Sequence, residues 1–202
     1  HPNLNSAYLG QGGLGLPDRD YYLEASFADK KTAYQAYVAQ MLGKIGWTNP
    51  EKAAADIVAF ETRIAEKSWT RAQAREIDKV YNPMTLAEVA AYAPGFDWSA
   101  WATAAGLPAS AHTVVGEKTA FPELARIFAE TDLETLKAYE AFHVVDQSAS
   151  VLSSDFVDAR FAFRSGVMNG VTQNRPRWNR AVRTVDGSLG EALGKEYVRL
   201  HF

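Results

Sequence analysis

Glu140 and His143 form a Glu-x-x-His pair on a predicted helix. Two such pairs and two further glutamates can hold two iron ions inside a four-helix bundle. The other histidines, His1, His112 and His201, do not follow a carboxylate by three residues on a predicted helix. A single helical histidine more often packs or forms hydrogen bonds than binds a metal. An iron-carboxylate bundle is therefore a minor alternative.

The segment from Gly10 to Gly15 matches G-x-G-x-x-G, in which glycines let the backbone approach the pyrophosphate of a dinucleotide. No long hydrophobic strand precedes it, Pro17 follows where a helix should begin, and the chain has no strand–helix–strand alternation. We interpret the segment as a glycine-rich turn.

Charged clusters offer two further hypotheses. Asp18, Asp20 and Glu24 are close in sequence, but an EF-hand loop counted from Asp18 needs glycine where Leu23 stands. We expect these acids to shape a turn and to pair with Arg19 or another base.

A basic cluster from Arg175 to Arg183 surrounds Trp178 and could contact nucleic acid. Because the whole chain is acidic, we favour packing of these side chains against the protein.

Hydrolytic signatures are missing: the chain has neither H-E-x-x-H nor G-x-S-x-G, and it has no cysteine for a nucleophile, a disulfide or a thiolate zinc site.

The composition is that of a globular domain. The chain has 202 residues, 47% of them hydrophobic and 22% charged, with a formal net charge of -3. The charge is too small to indicate a nucleic acid partner. No apolar run approaches the roughly 18 residues of a membrane helix, and no signal peptide is visible.

We expect residues 1–202 to form a single lobe. The chain starts at His1, and the helix that reaches Phe202 has no stop signal, so we expect a piece of a longer protein.

The elements that must position these residues are mostly helical. Apolar residues recur at helical spacing from Asp29 to Ile45. Asn49 should cap a helix that starts at Pro50 and runs to about Arg75. Further helices are predicted over 85–92, with Thr85 and Glu88 as a capping box, and over 97–106, 122–128, 131–151, 153–168 and 175–185, with another from 189.

Four further features complete the predicted fold. Tyr8-Leu9 could pair with residues 14–16 as a short hairpin, and residues 112–116 read as a strand. A second capping box is expected at Thr131 and Glu134, and a turn at residues 186–187. The predicted fold class is mainly α, an irregular multi-helix lobe with a small extended or hairpin element near the N-terminus.

Three segments, in the same order along the chain, resemble the neprilysin-like zinc endopeptidases, the family of neprilysin, endothelin-converting enzyme and bacterial oligopeptidase O. Residues 11–23, QGGLGLPDRDYYL, are similar to the family's G-L-P-x-R-D-Y-Y. Residues 81–88, YNPMTLAE, are similar to Y-N-x-M-T-L. Residues 177–198 are similar to R-W-x-R followed by G-x-x-x-x-A-x-G-x-x-Y-V.

The resemblance implies a two-lobed peptidase. One lobe binds zinc through H-E-x-x-H and a later glutamate, and the other is helical, caps the cavity and excludes folded proteins. This chain resembles the second lobe, and the family's zinc ligands follow it in sequence. The resemblance therefore assigns no catalytic, cofactor-binding or metal-binding residue to this chain.

Motif residues are instead expected to have structural roles. Four should fix the first turn, and three should hold a late helix against the core. They are Pro17, Arg19, Asp20 and Tyr21 in the first set, and Arg177, Trp178 and Arg180 in the second.

The resulting hypothesis is the non-catalytic lobe of a zinc endopeptidase that hydrolyses oligopeptides, with zinc bound outside this chain. Its partners would be the catalytic lobe and oligopeptides, without nucleic acid or a membrane span. A stand-alone helical binding or scaffold domain is the alternative. Because vertebrate members contain disulfides, the cysteine-free chain resembles a bacterial member. We expect an extracytoplasmic location, with the cytosol as the alternative.

Overall fold

The computed structural model describes residues 6–108 and 112–202, and its fold is mainly α, as predicted. Within these residues the strands and α-helices follow one another in the order β1 (Ala7–Leu9), α1 (Asp20–Leu23), α2 (Ala28–Lys44), α3 (Pro50–Lys67), α4 (Ile77–Val80), β2 (Asn82–Thr85), α5 (Leu86–Tyr92), α6 (Trp98–Ala104), β3 (His112–Val115), α7 (Phe121–Glu130), α8 (Leu133–Ser148), α9 (Ser154–Arg160) and α10 (Arg177–His201). A π-helical segment, Phe161–Val167, continues α9.

The strands form one small sheet in the order β1-β3-β2. β1 runs parallel to β3, with Ala7 opposite Thr113, and β2 runs antiparallel to β3. The strand predicted over 112–116 is confirmed, but the hairpin is wrong. Leu16 is buried in the core, and its backbone N–H donates to the hydroxyl of Tyr22 at 2.9 Å instead of to a strand.

The main core lies between α2, α3, α8 and the π-helical segment. The apolar stripe predicted on α2 is buried except for its last member, Ile45, which is 43% exposed. The ring of Tyr37 stacks on Phe163 with centroids 4.7 Å apart. Burial of such large rings stabilises the fold.

Helix starts agree with the sequence in part. The capping box of Thr85 and Glu88 is confirmed, and Asp97, the first residue of the helix predicted over 97–106, caps α6 by accepting a hydrogen bond from the N–H of Ala100. α8 is capped by Asp132, which accepts a hydrogen bond from the N–H of Thr135, and not by the predicted Thr131. An aspartate one residue later offers a charged acceptor to the same helix end.

The start and the end of α3 both differ from the prediction. Asn49 precedes the helix in the left-handed region, with φ 53°, and its side chain makes no capping hydrogen bond. α3 ends at Lys67 rather than near Arg75, because Ser68 adopts an extended conformation.

The last helix departs most from expectation. The predicted turn at residues 186–187 is wrong, because these residues are helical, but two helices do meet nearby: a kink at Leu189, whose backbone angles are non-helical, divides α10. None of its residues is buried, and Trp178 is 68% exposed. The expectation that Arg177, Trp178 and Arg180 hold this helix against the core is therefore wrong, because no described element covers its apolar side chains. No helix in the described ranges is long and apolar enough to cross a bilayer.

Candidate functional site

The glycine-rich segment from Gly10 to Gly15 is fixed by side-chain contacts rather than by a sheet or a helix. The Gln11 amide forms a reciprocal pair with the backbone of Trp69: its Nε2 donates to the carbonyl oxygen at 3.0 Å, and its Oε1 accepts from the N–H at 2.6 Å. The N–H of Gln11 donates to Glu117 Oε2 at 2.8 Å. These bonds tie the segment to the end of α3 and to the turn after β3.

A fully buried carboxylate, Glu61 on α3, lies beneath this segment. The hydroxyls of Tyr22 and Tyr34 donate to it at 2.7 and 3.0 Å, and His143 Nε2 lies 3.2 Å from Glu61 Oε1. The Tyr22 oxygen also accepts from the N–H of Gly15 at 3.1 Å. The tyrosines thus satisfy a buried charge that would otherwise be strongly destabilising.

A second acidic group, Asp146 on α8, completes the support. Arg164 Nη2 donates to Asp146 Oδ2 at 2.7 Å, and the hydroxyl of Tyr37 donates to Oδ1. Arg164 Nη1 donates to the carbonyl oxygen of Gly15. Both buried carboxylates therefore act, through Tyr22 and Arg164, on the two backbone polar groups of Gly15.

The network changes the proton affinity of its tyrosines. Burial, followed by the charge of Glu61, raises the pKa of Tyr22 and of Tyr34 far above the ordinary value of 10.0. Burial and the hydrogen bond to Asp146 raise the pKa of Tyr37. Burial and the charge of Glu61 raise the pKa of Tyr139. In each case ionisation would place a second negative charge near a buried carboxylate or in an apolar environment.

These raised pKa values predict alkaline unfolding. A tyrosine whose pKa is higher in the folded state stabilises the fold fully below the unfolded pKa, about 10, and this stabilisation is lost as pH rises above it. We expect the tyrosinate absorbance of Tyr22, Tyr34 and Tyr37 to appear together with the loss of far-ultraviolet circular dichroism. Full ionisation of all nine tyrosines while the dichroism remains native would contradict this.

An open apolar groove of about 1060 Å³ lies beside the glycine-rich segment. One wall is formed by residues 8–10, 12 and 13, and the floor by aromatic and aliphatic side chains of α3, α6, α7 and α8. The large apolar residues that line the floor and rim are Trp47, Phe60, Ile64, Phe96, Trp98, Trp101, Phe121, Leu124, Phe128, Leu133, Leu136 and Tyr139. The volume is at the upper end of the range for ligand pockets.

Comparison with known proteins identifies the family of this chain. The model of Peptidase family M13, built on the N-terminal region of that family, matches residues 1–202, which is the whole chain. This chain belongs to peptidase family M13. Human endothelin-converting enzyme 1 is 31% identical to it over 210 residues, which cover 99% of this chain and 27% of the human enzyme.

Solved structures are also similar to this chain. The zinc metalloprotease Zmp1 of Mycobacterium tuberculosis in complex with an inhibitor is 32% identical, with a TM-score of 0.90 over 96% of this chain and 30% of that one. Its open state gives a TM-score of 0.88 over 96% of this chain and 31% of the other. The M13 chain thus spans less than a third of each of these relatives.

The two side chains of the Glu-x-x-His pair in this M13 chain do not meet at a common site. Glu140 is exposed at the groove, whereas His143 Nε2 faces Glu61 and its ring lies 4.2 Å from that of Tyr139, centroid to centroid. Within the described residues, no three histidines or carboxylates are placed to hold a metal ion. The residues present here do not fit zinc, so no step through a metal can be derived from them.

Arg19 and Tyr21 of the first family motif contact neighbouring segments, which agrees with the structural role predicted for them. Asp18 accepts a hydrogen bond from the N–H of Asp20 at 2.9 Å and forms an ion pair with Arg71 at 2.7 Å. Arg19 Nε donates to the carbonyl oxygen of Ala65 at 3.2 Å, and Tyr21 stacks on a neighbouring phenylalanine ring. Asp18 thus shapes a turn and pairs with a base, as expected, and Asp20 lies 3.8 Å from Arg19.

Sequence reasoning missed the two buried carboxylates. Glu61 follows Ile57 by four residues and precedes Ile64 by three, so it lies on the apolar face of α3. Asp146 occupies the same kind of position four residues after Phe142 on α8. A carboxylate inside an apolar stripe is the signal that could have identified both.

Proposed function

We propose that this M13 chain is the non-catalytic helical lobe of a zinc endopeptidase that hydrolyses oligopeptides, and that it walls the cavity which peptides enter. The supporting observation is its similarity to a zinc metalloprotease across nearly the whole of this chain but under a third of the other. The remainder of such a protein would carry the metal.

This chain's own residues contribute shape rather than chemistry in the proposal. Glu61 and Asp146 hold Tyr22 and Arg164, which in turn hold Gly15, two residues after the last glycine of the groove wall. When bound in the rest of the protein, zinc would polarise a water molecule and the peptide carbonyl. A rigid wall restricts what can enter a cavity, which suits an enzyme that acts on peptides and not on folded proteins.

The proposal predicts a clear difference between this chain and the full-length polypeptide from the same gene. The 202-residue chain should bind no stoichiometric zinc and hydrolyse no peptide, because its residues do not supply a metal site. The full-length protein should contain about one zinc ion per active site and cleave unstructured peptides. Metal analysis and a quenched-fluorescence peptide assay measure both.

Two results would contradict the proposal. One is stoichiometric zinc in the 202-residue chain. The other is a full-length protein without H-E-x-x-H and without peptidase activity, which would instead support a stand-alone binding or scaffold domain. An extracytoplasmic location in a bacterium stays a prediction, and cell fractionation of the source organism with an antibody to this chain would test it.

A further inference from the structure

α10 carries a long apolar stripe that no described part of this chain covers. Large apolar residues recur along the helix at intervals of three or four, which is the spacing of one helical face. They are Trp178, Val182, Val185, Leu189, Leu193, Tyr197 and Leu200. All but Leu193 are at least 43% exposed, and none belongs to a described apolar cluster of the core.

The composition of α10 shows that the helix needs a packing partner. Gly187, Gly190 and Gly194 lie within eight residues of it, and each glycine in a helix interior costs about 1 kcal/mol relative to alanine. Most of the stability of a protein helix comes from packing of its apolar face rather than from its own propensity. We therefore interpret the exposed stripe as an interface and not as a solvated surface.

The length of the relatives indicates where the partner comes from. This chain covers 27% of human endothelin-converting enzyme 1 and 30% of the Zmp1 chain in the inhibitor complex, so more than two-thirds of each relative lies outside the matched part. A tethered segment of the same polypeptide has an effective concentration on the order of millimolar. A second copy of the chain, present at a much lower concentration, competes poorly with it.

The charges of α10 favour a protein surface over a membrane surface. Helices that lie on bilayers are rich in lysine and arginine on their polar face. In α10, Asp186, Glu191 and Glu196 are interspersed with the basic residues, and Arg199 Nε is paired with Glu196 at 2.8 Å. The stripe itself contains no charged residue, so its partner must be apolar as well.

We propose that the apolar stripe of α10 is an interface within the full-length polypeptide, packed against an apolar surface of the part that lies outside residues 1–202. The inference rests on the proposed function only in assuming that longer polypeptide, and it needs neither zinc nor peptidase activity. The stripe contributes to the attachment of this lobe to the rest of the protein.

Photo-cross-linking of the full-length polypeptide identifies the partner. Trp178→p-benzoylphenylalanine replaces one large aromatic side chain by another at an exposed position of the stripe. After irradiation, the monomer and dimer bands are separated and the cross-linked peptides are sequenced by mass spectrometry. We expect cross-links in the monomer band that join residue 178 to residues outside 1–202 of the same molecule.

Hydrogen exchange of the full-length polypeptide tests the stripe with a matched pair of variants. Val182→Asp places a charge in the stripe, which must be desolvated or must separate the interface, and should speed exchange of the amides of residues 178–189 about tenfold or more. Thr184 is also exposed, but two residues further on it lies about 200° around the helix. Thr184→Asp should change exchange by less than about twofold.

Four outcomes would overturn the inference: no cross-link from residue 178, cross-links only within residues 1–202 or only between two molecules, equal exchange in the two aspartate variants, or protection of α10 only when phosphatidylglycerol vesicles are added. The last would assign the stripe to a membrane surface. Intramolecular cross-links in a full-length protein that has neither zinc nor peptidase activity would refute the proposed function and leave the interface standing.

Discussion

Replacing Gly15 by alanine is expected to lower the free energy of unfolding by about 3 kcal/mol or more. A Cβ atom on Gly15 would overlap the hydroxyl oxygen of Tyr34, and it would lie 2.5 Å from the Cζ atom of that ring and 3.1 Å from Glu61 Oε1. Real Cβ atoms do not make contacts this short. The backbone or the tyrosine must therefore move.

Tyr34 has little room to move. Its ring is fully buried, with centroids 5.8 Å from Phe142 and 5.7 Å from Phe163, and its hydroxyl donates to Glu61. Displacing it would leave a buried carboxylate with one donor fewer and would disturb close-packed rings. The extra methyl group would therefore displace several packed core side chains and not just one flexible side chain.

Urea unfolding measured by circular dichroism checks this expectation, and Gly12→Ala is the matched control. A Cβ atom on Gly12 would meet nothing within 4 Å, so that variant should stay within about 0.5 kcal/mol of the parent. Tyr34→Phe removes the overlapping hydroxyl but also a donor to Glu61, so the combined effect of Gly15→Ala and Tyr34→Phe should be smaller than the sum of their separate effects. Equal stability of the two alanine variants would refute the close approach.

Local features of the fold could be predicted because their causes are local. The buried stripe on α2 and the capping box of Thr85 and Glu88 depend on residues within one or two helical turns. The pairing of Ala7 with Thr113 joins residues that are more than a hundred positions apart, and no turn signal connects them. The pattern around Leu14 therefore favoured a hairpin that the packing of Leu16 prevents.

The candidate site could be predicted only in outline. The motif around Gly15 and Tyr22 marked the right segment, but it does not show which groups hold that segment. Glu61, Asp146 and Arg164 come from three different helical segments, and their meeting depends on how those segments pack. Likewise, the aromatic side chains of the groove are far apart in sequence, so spacing alone cannot reveal the groove.

Arg164→Met is expected to lower the free energy of unfolding by about 3 kcal/mol, the lower end of the cost of breaking a buried ion pair. The side chain of Arg164 is 21% exposed and that of Asp146 10%, so the carboxylate would lose its bidentate partner in a poorly hydrated site. The carbonyl oxygen of Gly15 would lose its donor as well. Methionine keeps the apolar stem but removes the guanidinium group, whose carbon lies 5.7 Å from the Tyr37 ring centroid, so the loss includes this cation–π contact.

Arg160→Met provides the control, because Arg160 contacts the same residue through a longer and more exposed ion pair. Its side chain is 39% exposed, and its Nε lies 4.0 Å from Asp146 Oδ1 and donates to the Asp146 carbonyl oxygen at 3.1 Å. Its loss should cost below about 1 kcal/mol. Hydrogen exchange locates the effect: Arg164→Met should speed exchange of the Gly15 and Leu16 amides, whereas Arg160→Met should not. Equal exchange in both variants would mean that Arg164 stabilises α8 without holding Gly15 in place.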